Sequence, residues 1–346
     1  MPESLNARQP DPDARLVLDI IDAFRASKAV FTAVSMGLFD RLHGRTATVD
    51  ELAAELACPA HALERLLGAC AGLGVLTVEN GHYATTAAAT RFLRVESPET
   101  MTGYILYSDR VLFRLWANLE DAVREGTHRW DQVFGSKEKL FDHFFANDGA
   151  KLTFLRGMHG HGLLSSPTVV GAFDLGRFRH MADLGGGTGH LVIEACKQYP
   201  NLRGTVYDLA SVAPVARSYI AEAGLSDRIA ALAGDFFDGD GALPAADLYA
   251  VSRILHDWSD EKVNRLLRRI CQSLPAGGAL LICEKILNET KDGPTAGYLQ
   301  SLNMLICTEG RERTASEYEA LVRAAGFSGF EYRLTGQPVD AMLAVK

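Results

Sequence analysis

A glycine-rich loop constrains the fold of this chain more than any other feature. Residues 183–189 read Asp-Leu-Gly-Gly-Gly-Thr-Gly, and a second acid, Asp208, stands at the end of the next apolar run. Glycines between a strand and a helix let a ligand lie against bare backbone, and an acid at the next strand end can bind ribose hydroxyls. The pattern therefore predicts an α/β sheet with a nucleoside site at this loop.

The glycine spacing narrows the choice of nucleoside. Gly185, Gly187 and Gly189 form G-x-G-x-G, and His190 stands where the dinucleotide fingerprint needs its third glycine. No phosphate-binding loop with its lysine occurs in the sequence, which argues against ATP. Asp183 would repel a pyrophosphate but suits a cofactor with an ammonium and a sulfonium. These features favour S-adenosylmethionine and methyl transfer.

Composition argues for a small-molecule partner. The 346 residues include 35 basic and 43 acidic side chains, a net charge of −8, which argues against a nucleic-acid or membrane-surface binder. No apolar run has the length of a membrane span, and residues 1–15 lack the apolar core of a signal peptide, so we expect a cytoplasmic protein. The cysteines form no C-x-x-C pair, and we predict buried thiols and no metal site.

The N-terminal third predicts a helical domain with a β-wing. Residues 16–42 have apolar side chains at helical spacing, and Thr48 with Glu51 forms a capping box. A helix over residues 61–73 precedes two short β-prone runs joined by Asn80-Gly81, which indicates a hairpin and a winged helix-turn-helix. Residues 47–90 hold five acids and one arginine, so this domain would repel DNA. Its apolar stripes instead predict a homodimer.

The sequence from residue 100 onward predicts a helical segment followed by a doubly wound sheet. Residues 100–170 are rich in aromatics at helical spacing, and Tyr107 and Met158, which begins a Met-His-Gly-His-Gly run, are candidates to line a substrate pocket. Strands are predicted at 180–184, 204–209, 229–233, 247–252 and 279–283, with a terminal hairpin at 330–334 and 341–345. We predict three parts: a winged-helix-like dimerisation domain over 1–110, a pocket-lining helical segment over 111–175 and a cofactor-binding Rossmann-like domain over 176–346.

Polar and glycine residues follow five successive predicted strands, where ligands bind in open α/β sheets. The cofactor-binding candidates at these ends are Asp183, Gly185, Gly187, Asp208, Leu209, Gly234, Asp235, Phe236 and Arg253. Asp208 suits the ribose, while Asp235 and Phe236 suit adenine. Each acid could instead cap a helix or lie in a solvated loop.

His256 is the best candidate for a general base, because only histidine titrates near neutral pH without help. A phenol has a pKa of about 10 and imidazole one of about 6.5, so complete proton transfer before methylation would cost roughly 5 kcal/mol. Deprotonation must therefore accompany attack on the methyl group, or the site must stabilise phenolate. Glu284 and Glu312 could orient the imidazole, although the sequence alone does not bring them together.

These motifs resemble the bacterial and plant small-molecule O-methyltransferases, class I enzymes with an N-terminal dimerisation domain. The resemblance covers residues 16–346 and is most specific at 183–189, 234–237, 255–258 and 310–314. It implies that His256 is the catalytic base, that Glu284 and Glu312 assist it, and that Asp208 and Arg253 contact the cofactor.

Within that family the chain is most similar to enzymes that methylate hydroxyindoles, over residues 246–249, 251–258, 301–305 and 308–310. That similarity implies that Asn303 binds a substrate amide, with Asp257 and Cys307 also lining the substrate site. Cys307 stands where those enzymes have a glutamine contact, and Gly162 where they have an aromatic cofactor contact. The substrate class expected is therefore a hydroxylated aromatic metabolite rather than one particular indole.

Two other functions fit parts of the sequence. A winged-helix regulator could use the Rossmann-like half to sense a nucleoside ligand, but the acidic balance of residues 47–90 argues against DNA binding. An enzyme of the same fold could bind the cofactor and catalyse decarboxylation or hydroxylation. The presence of His256, Glu284 and Glu312 together favours methyl transfer.

Overall fold

A computed structural model describes residues 11–136, 140–145, 147–238 and 241–346. The chain divides into two compact units, Met1–Asp109 and Arg110–Lys346. None of the helices in the described ranges is long and apolar enough to cross a membrane.

The N-terminal unit is mainly helical with one hairpin. Its elements are α1 (Pro12–Ser35), α2 (Leu38–Arg41), α3 (Val49–Leu56), α4 (Ala60–Gly72), β1 (Leu76–Glu79), β2 (His82–Thr85), α5 (Ala87–Phe92) and α6 (Thr102–Tyr107). The order of α3, α4 and the β1–β2 hairpin confirms the predicted winged helix. Leu38, Phe39, Leu52 and Leu67 are fully buried at its centre.

Local sequence signals define the ends of these elements. Thr48 and Glu51 form the predicted capping box, in which the Thr48 amide donates to the Glu51 carboxylate over 2.7 Å. The hairpin turns at Asn80 and Gly81, whose φ angles are 48° and 77°. Both residue types tolerate this left-handed conformation, which the right-handed twist of a hairpin favours.

Helices span the boundary of the two units and begin the C-terminal unit. A π-helix (Ser108–Leu112) leads into α7 (Phe113–Trp116), α8 (Leu119–Glu125), α9 (Trp130–Phe134), α10 (Leu140–Phe144) and the long α11 (Asp148–Val170).

Strands and helices then alternate. The chain forms β3 (His180–Leu184), α12 (His190–Gln198), β4 (Arg203–Asp208), α13 (Ala213–Glu222), β5 (Ile229–Ala233), β6 (Leu248–Ser252), a 3₁₀-helix (Leu255–Asp257), α14 (Asp260–Ser273), β7 (Ala279–Glu284), β8 (Ile286–Leu287), α15 (Thr295–Cys307), β9 (Arg313–Thr314), α16 (Ala315–Ala325), β10 (Gly329–Arg333) and β11 (Asp340–Val345).

Seven strands make one sheet in the order β10-β11-β7-β6-β3-β4-β5. Strands β7, β6, β3, β4 and β5 are parallel, while β11 is antiparallel to both β7 and β10. This topology confirms the predicted doubly wound sheet with a terminal hairpin. Chain connections leave β3 in opposite directions, toward β4 and later to β6, so the carboxyl end of β3 is the switch point at which ligands bind in such sheets.

Candidate functional site

The glycine loop at the end of β3 is held by backbone hydrogen bonds. The Gly185 amide donates to the carbonyl of Tyr207 in β4 over 2.8 Å, and Gly187 donates to the Asp208 carboxylate over 2.8 Å. Gly185 has a φ of 68°, and a Cβ there would lie 2.4 Å from the Ile254 side chain. The loop therefore needs glycine for both its conformation and its space.

Asp208 lies at the end of β4, as predicted, and its carboxylate is bound to the loop. Besides Gly187, it accepts a hydrogen bond of 2.7 Å from the Leu209 amide. Burial raises the pKa of Asp208 to about 6, although the two backbone donors oppose the shift. An ionised carboxylate offers about four acceptor positions, so this group can also receive two ligand hydroxyls.

Asp183 lies in β3, beneath the loop. Its side chain is buried, and Oδ1 has no hydrogen-bond partner among the described residues. Burial, with a further contribution from the charge of Asp208, raises the pKa of Asp183 to about 8. A buried acid without a partner is costly, and a cationic ligand group beside the loop would stabilise its ionised form.

The end of β5 supplies a turn and an aromatic ring. The Asp235 carboxylate accepts from the Phe237 amide over 2.7 Å, which uses one of its acceptor positions. The Phe236 ring lies 3.3 Å from the position that a Cβ of Gly185 would take, so it borders the loop. Gly234 packs directly under the hydroxyl of Tyr207. The predicted set at β3, β4 and β5 therefore surrounds one cradle.

Arg253 follows β6 in a left-handed conformation, with a φ of 54°. Its guanidinium contacts Nδ1 of His161 from α11, and its charge opposes the upward shift of the Asp257 pKa. Sequence reasoning noted the run that contains His161 but assigned it no partner. Arg253 thus contacts α11 and lies close enough to Asp257 for its charge to act there.

His256 lies in the 3₁₀-helix after β6, between two buried carboxylates. Its Nδ1 is 2.6 Å from Glu312 Oε1 and 3.3 Å from Glu284 Oε2. Glu284, at the end of β7, also accepts from the Ile254 and Leu255 amides over 2.9 and 2.8 Å. The structure therefore joins three residues that the sequence alone could not bring together.

The electrostatics of this cluster favour a protonated imidazole. Burial lowers the pKa of His256, but the charges of Glu284 and Glu312 and the hydrogen bond to Glu312 outweigh it and raise the pKa to about 10. Burial raises the pKa of Glu284 in turn, against the effect of His256. Both carboxylates face Nδ1, so Nδ1 keeps its hydrogen and Nε2 is the atom that can exchange a proton.

Arg313 and Gly310 fix the backbone beneath this cluster. The buried Arg313 guanidinium donates to the carbonyls of Leu255 and Trp258 over 3.0 and 3.2 Å. A Cβ on Gly310 would lie 2.1 Å from the His256 carbonyl oxygen. Sequence reasoning quoted the segment 310–314 but assigned a role only to Glu312; the arginine and glycine beside it were available signals.

Three predicted substrate residues lie in the C-terminal unit near His256. Asp257 Oδ1 is 3.8 Å from His256 Nε2, and burial raises its pKa to about 6. Cys307 in α15 is buried and close enough to Asp257 for that charge to add to the rise of its thiol pKa. Asn303, one turn earlier, is 4.0 Å from Cys307 Sγ and accepts from the Trp116 indole over 2.9 Å.

The other two predicted substrate residues are Met158 and Tyr107. Met158 is half-buried on α11, and Tyr107 is buried on α6 in the N-terminal unit. Their proposed role in lining a pocket stays a prediction.

His256, Glu284 and Glu312 are also the described residues that could hold a metal ion, since their ligand atoms lie within 4.8 Å of one another. The same atoms form the hydrogen-bonded pair of His256 and Glu312.

Helix α11 contributes contacts to the loop that sequence reasoning missed. His159 Nδ1 lies 2.8 Å from the Thr188 hydroxyl, and His190, the first residue of α12, lies 2.8 Å from the Ser166 hydroxyl. A Cβ on Gly162 would lie 2.4 Å from the His190 ring. The Met-His-Gly-His-Gly run was the visible signal, but its partners lie on another helix.

Known protein families match residues in each of the two units. The O-methyltransferase domain model matches residues 116–328, and the O-methyltransferase dimerisation domain model matches residues 18–95. Acetylserotonin O-methyltransferase of Gallus gallus is 39% identical over 339 residues, which cover 96% of this chain and 97% of that protein.

Solved structures are similar over nearly the whole chain. The crystal structure of human N-acetylserotonin methyltransferase in complex with SAM has a TM-score of 0.93 and 36% identity, and covers 100% of this chain and 99% of that chain. PigF with SAH has a TM-score of 0.87 and 31% identity, and covers 96% of this chain and 99% of that chain.

Proposed function

The chain belongs to the O-methyltransferase family with an N-terminal dimerisation domain, and from this premise we propose that His256 is the general base for methylation of a hydroxyl on a small aromatic metabolite. The chain is an S-adenosylmethionine-dependent O-methyltransferase. One observation carries the role proposed for His256: its Nδ1 faces two buried carboxylates, which leaves Nε2 to receive the substrate proton.

The cradle fits the cofactor of this family. The unpartnered Asp183 oxygen suits a cationic ligand, and the glycines at 185 and 187 carry no side chain that would cover the loop backbone. We assign the ribose to Asp208 and Leu209 and the adenine to Gly234, Asp235 and Phe236. Arg253 completes the set from β6. When bound, S-adenosylmethionine supplies a methyl group activated by a sulfonium.

His256 is suited to remove a proton from a phenol. An ordinary imidazole, with a pKa of about 6.5, would take a phenolic proton only at a cost of roughly 5 kcal/mol. The carboxylates of Glu284 and Glu312 raise the pKa of His256 to about 10, near that of a phenol. When Nε2 of His256 is unprotonated, the proton therefore moves between groups of similar basicity, and the imidazolium that forms is paired with two acids.

Asn303 defines the polar end of the proposed substrate pocket. The indole N–H of Trp116 is a donor only, so the Asn303 oxygen must face it over 2.9 Å and the amide NH₂ is directed elsewhere. That NH₂ suits a carbonyl on the substrate. A hydroxyindole bearing an acyl amide, as in the names of the similar enzymes, meets both this donor and the base. Cys307 beside Asn303 cannot act as an amide donor.

Homodimer formation is the oligomeric state that we propose. Six apolar side chains of α1 are more than half exposed: Leu16, Val17, Leu18, Ile20, Ile21 and Phe24. Such a contiguous apolar surface is typical of a protein interface, and the matched dimerisation domain includes residues 18–95. We expect light scattering at micromolar concentration to give twice the chain mass. Substitution of Ile20 and Phe24 by serine should give a monomer, and a monomeric native protein would contradict this proposal.

A titration followed by an assay tests the function. We expect calorimetry to detect binding of S-adenosylhomocysteine, and labelled methyl transfer from S-adenosylmethionine to appear on a hydroxyl in a phenol panel that includes N-acetylserotonin. Binding without transfer to any phenol would contradict the proposed substrate class. Absence of binding would contradict the proposed cradle.

A further inference from the structure

His190 occupies an unusual place beside the glycine loop. It follows Gly189 directly and begins α12, and its ring lies against Gly162 of α11. A Cβ at position 162 would approach ring atoms of His190 to 2.4 and 2.5 Å, closer than real Cβ contacts. Gly162 therefore leaves the space that the imidazole fills, and the two residues form one packing unit.

The hydrogen bonds of Ser166 determine the tautomer of His190. The Ser166 hydroxyl lies 2.9 Å from the Gly162 carbonyl, which can only accept. Ser166 has one hydrogen to donate and uses it there, so it must accept from Nδ1 of His190 over 2.8 Å. The hydrogen of the neutral imidazole is thus on Nδ1, and Nε2 carries a lone pair.

Burial keeps this imidazole neutral. Desolvation, with a further contribution from His159, lowers the pKa of His190 to about 3. Within the described part of the chain, the hydrogen bond to Ser166 is the only one made by the ring. Nε2 is therefore an acceptor to which no described protein group donates, on a residue that directly follows the glycine loop.

The position of α11 identifies which end of the cofactor meets this atom. The groups assigned to the adenosine, Asp208 and Asp235, follow β4 and β5, on one side of β3 in the sheet. Helix α11 contacts the loop at Thr188 and, through His161, contacts Arg253 after β6, on the other side of β3. The aminoacyl end of the cofactor belongs on that side, and its ammonium is the strong hydrogen-bond donor of that end.

We propose that His190 is a cofactor-positioning residue, whose Nε2 accepts a hydrogen bond from the ammonium group of S-adenosylmethionine. The inference rests on the proposed cofactor cradle. It goes beyond that proposal because it names the side chain that contacts the aminoacyl end of the cofactor, His190. It also gives Gly162 of α11 a role, since this glycine leaves the space for the His190 ring.

A pair of ligands separates this role from simple packing. S-adenosylhomocysteine carries the aminoacyl end, whereas 5′-deoxy-5′-methylthioadenosine has the adenosine and the sulfur without it. We expect His190→Ala to weaken the binding of S-adenosylhomocysteine, measured by calorimetry, about 10- to 100-fold. This is the range for loss of a hydrogen bond to a charged group. The affinity of the variant for 5′-deoxy-5′-methylthioadenosine should stay within about twofold of the native value.

Ser166→Ala provides a second variant with a smaller change in volume. It removes the acceptor that fixes the tautomer, so we expect a weaker loss of S-adenosylhomocysteine affinity, by about 3- to 10-fold, and again none for the shorter ligand. Equal weakening of both ligands in these variants would show a packing role and overturn the proposal, as would unchanged affinity for both. Failure of the native protein to bind either ligand would instead overturn the cofactor cradle itself, and the proposal for His190 with it.

Discussion

The glycine-loop cradle and the His256 cluster both bury acids at the carboxyl edge of the sheet, but they stabilise them differently. Asp183 under the loop has an unpartnered oxygen and no described ion pair, and burial raises its pKa to about 8. Glu284 and Glu312 lie 3.3 and 2.6 Å from the imidazole of His256. A cationic ligand would thus complete the electrostatics of the cradle, whereas the cluster contains its own cation.

Removal of the base should have the largest effect. We expect His256→Ala to lower kcat about 10³-fold, within the range for loss of a general base, while S-adenosylhomocysteine affinity stays within about twofold because the cradle does not use this side chain. Calorimetry and methyl-transfer kinetics on one sample make the measurement. His43→Ala, at an exposed histidine, is the control. A parallel fall in affinity and kcat would mean that the two regions are not independent.

Asp183→Asn should affect binding and stability in opposite directions. We expect S-adenosylhomocysteine to bind about 10- to 100-fold more weakly, because the counter-charge is lost. The ligand-free variant should melt roughly 2–4 °C higher, the shift that about 1 kcal/mol gives, because a buried acid has been removed. Asp227→Asn, at an exposed site, should change neither quantity. A lower melting temperature would contradict the description of Asp183 as unsatisfied.

The same comparison has a pH signature. The folded pKa of Asp183 is raised to about 8 from its ordinary 3.8, so the ligand-free protein loses stability as the pH rises through that window. Affinity for the cationic ligand should rise over the same window, by at most about tenfold per pH unit. Calorimetry from pH 6 to 9 measures both the stability of the ligand-free protein and its affinity for the ligand. The Asp183→Asn variant, which should show neither of these pH trends, is the reference.

Glu312→Gln should weaken the base without removing it. Loss of one negative charge lowers the pKa of His256, because the imidazolium is less stabilised. We expect the acid limb of the kcat/KM profile to move to lower pH, and the plateau to fall about 10-fold because the base is weaker. Glu309→Gln, whose exposed side chain pairs with Lys262, is the matched control. An unshifted profile would remove Glu312 from the proton-transfer mechanism.

Cys307→Gln should give the smallest change. An added amide beside Asn303 can donate a second hydrogen bond to a substrate carbonyl, so we expect KM for N-acetylserotonin to fall by roughly 2- to 10-fold. KM for 5-hydroxyindole, which lacks the acyl amide, should not change. Equal effects on both substrates would argue that this part of the pocket does not contact the acyl group.

The two regions also differ in how far they can be predicted from sequence. The glycine loop is local, since β3, its glycines and Asp208 follow one another along the chain, and their types alone indicate the ligand. The strand at His180–Leu184 and the hairpin turn at Asn80 and Gly81 are equally local and were predicted correctly. Backbone conformation at such sites depends on neighbouring residues.

The cluster and the α11 contacts require the complete fold. Glu284 and Glu312 meet His256 only because β7 lies beside β6 and the segment before β9 returns to the same edge. The pairing of Trp116 with Asn303 joins residues 187 positions apart. From sequence alone, Gly162 is only a weak helix former within a helical run. The need for glycine at this position, which is the space taken by the His190 ring, is seen only when α11 packs on α12.

The unpartnered acid beneath the loop links the amount of folded enzyme to its cofactor supply. A ligand that binds only the folded state stabilises it in proportion to the logarithm of its concentration, and here that ligand also gives the unpartnered buried acid of the empty protein a partner. When a cell depletes S-adenosylmethionine, the chain should therefore open more often and meet proteases sooner. Its abundance would then report methyl-donor status, with no dedicated regulatory site.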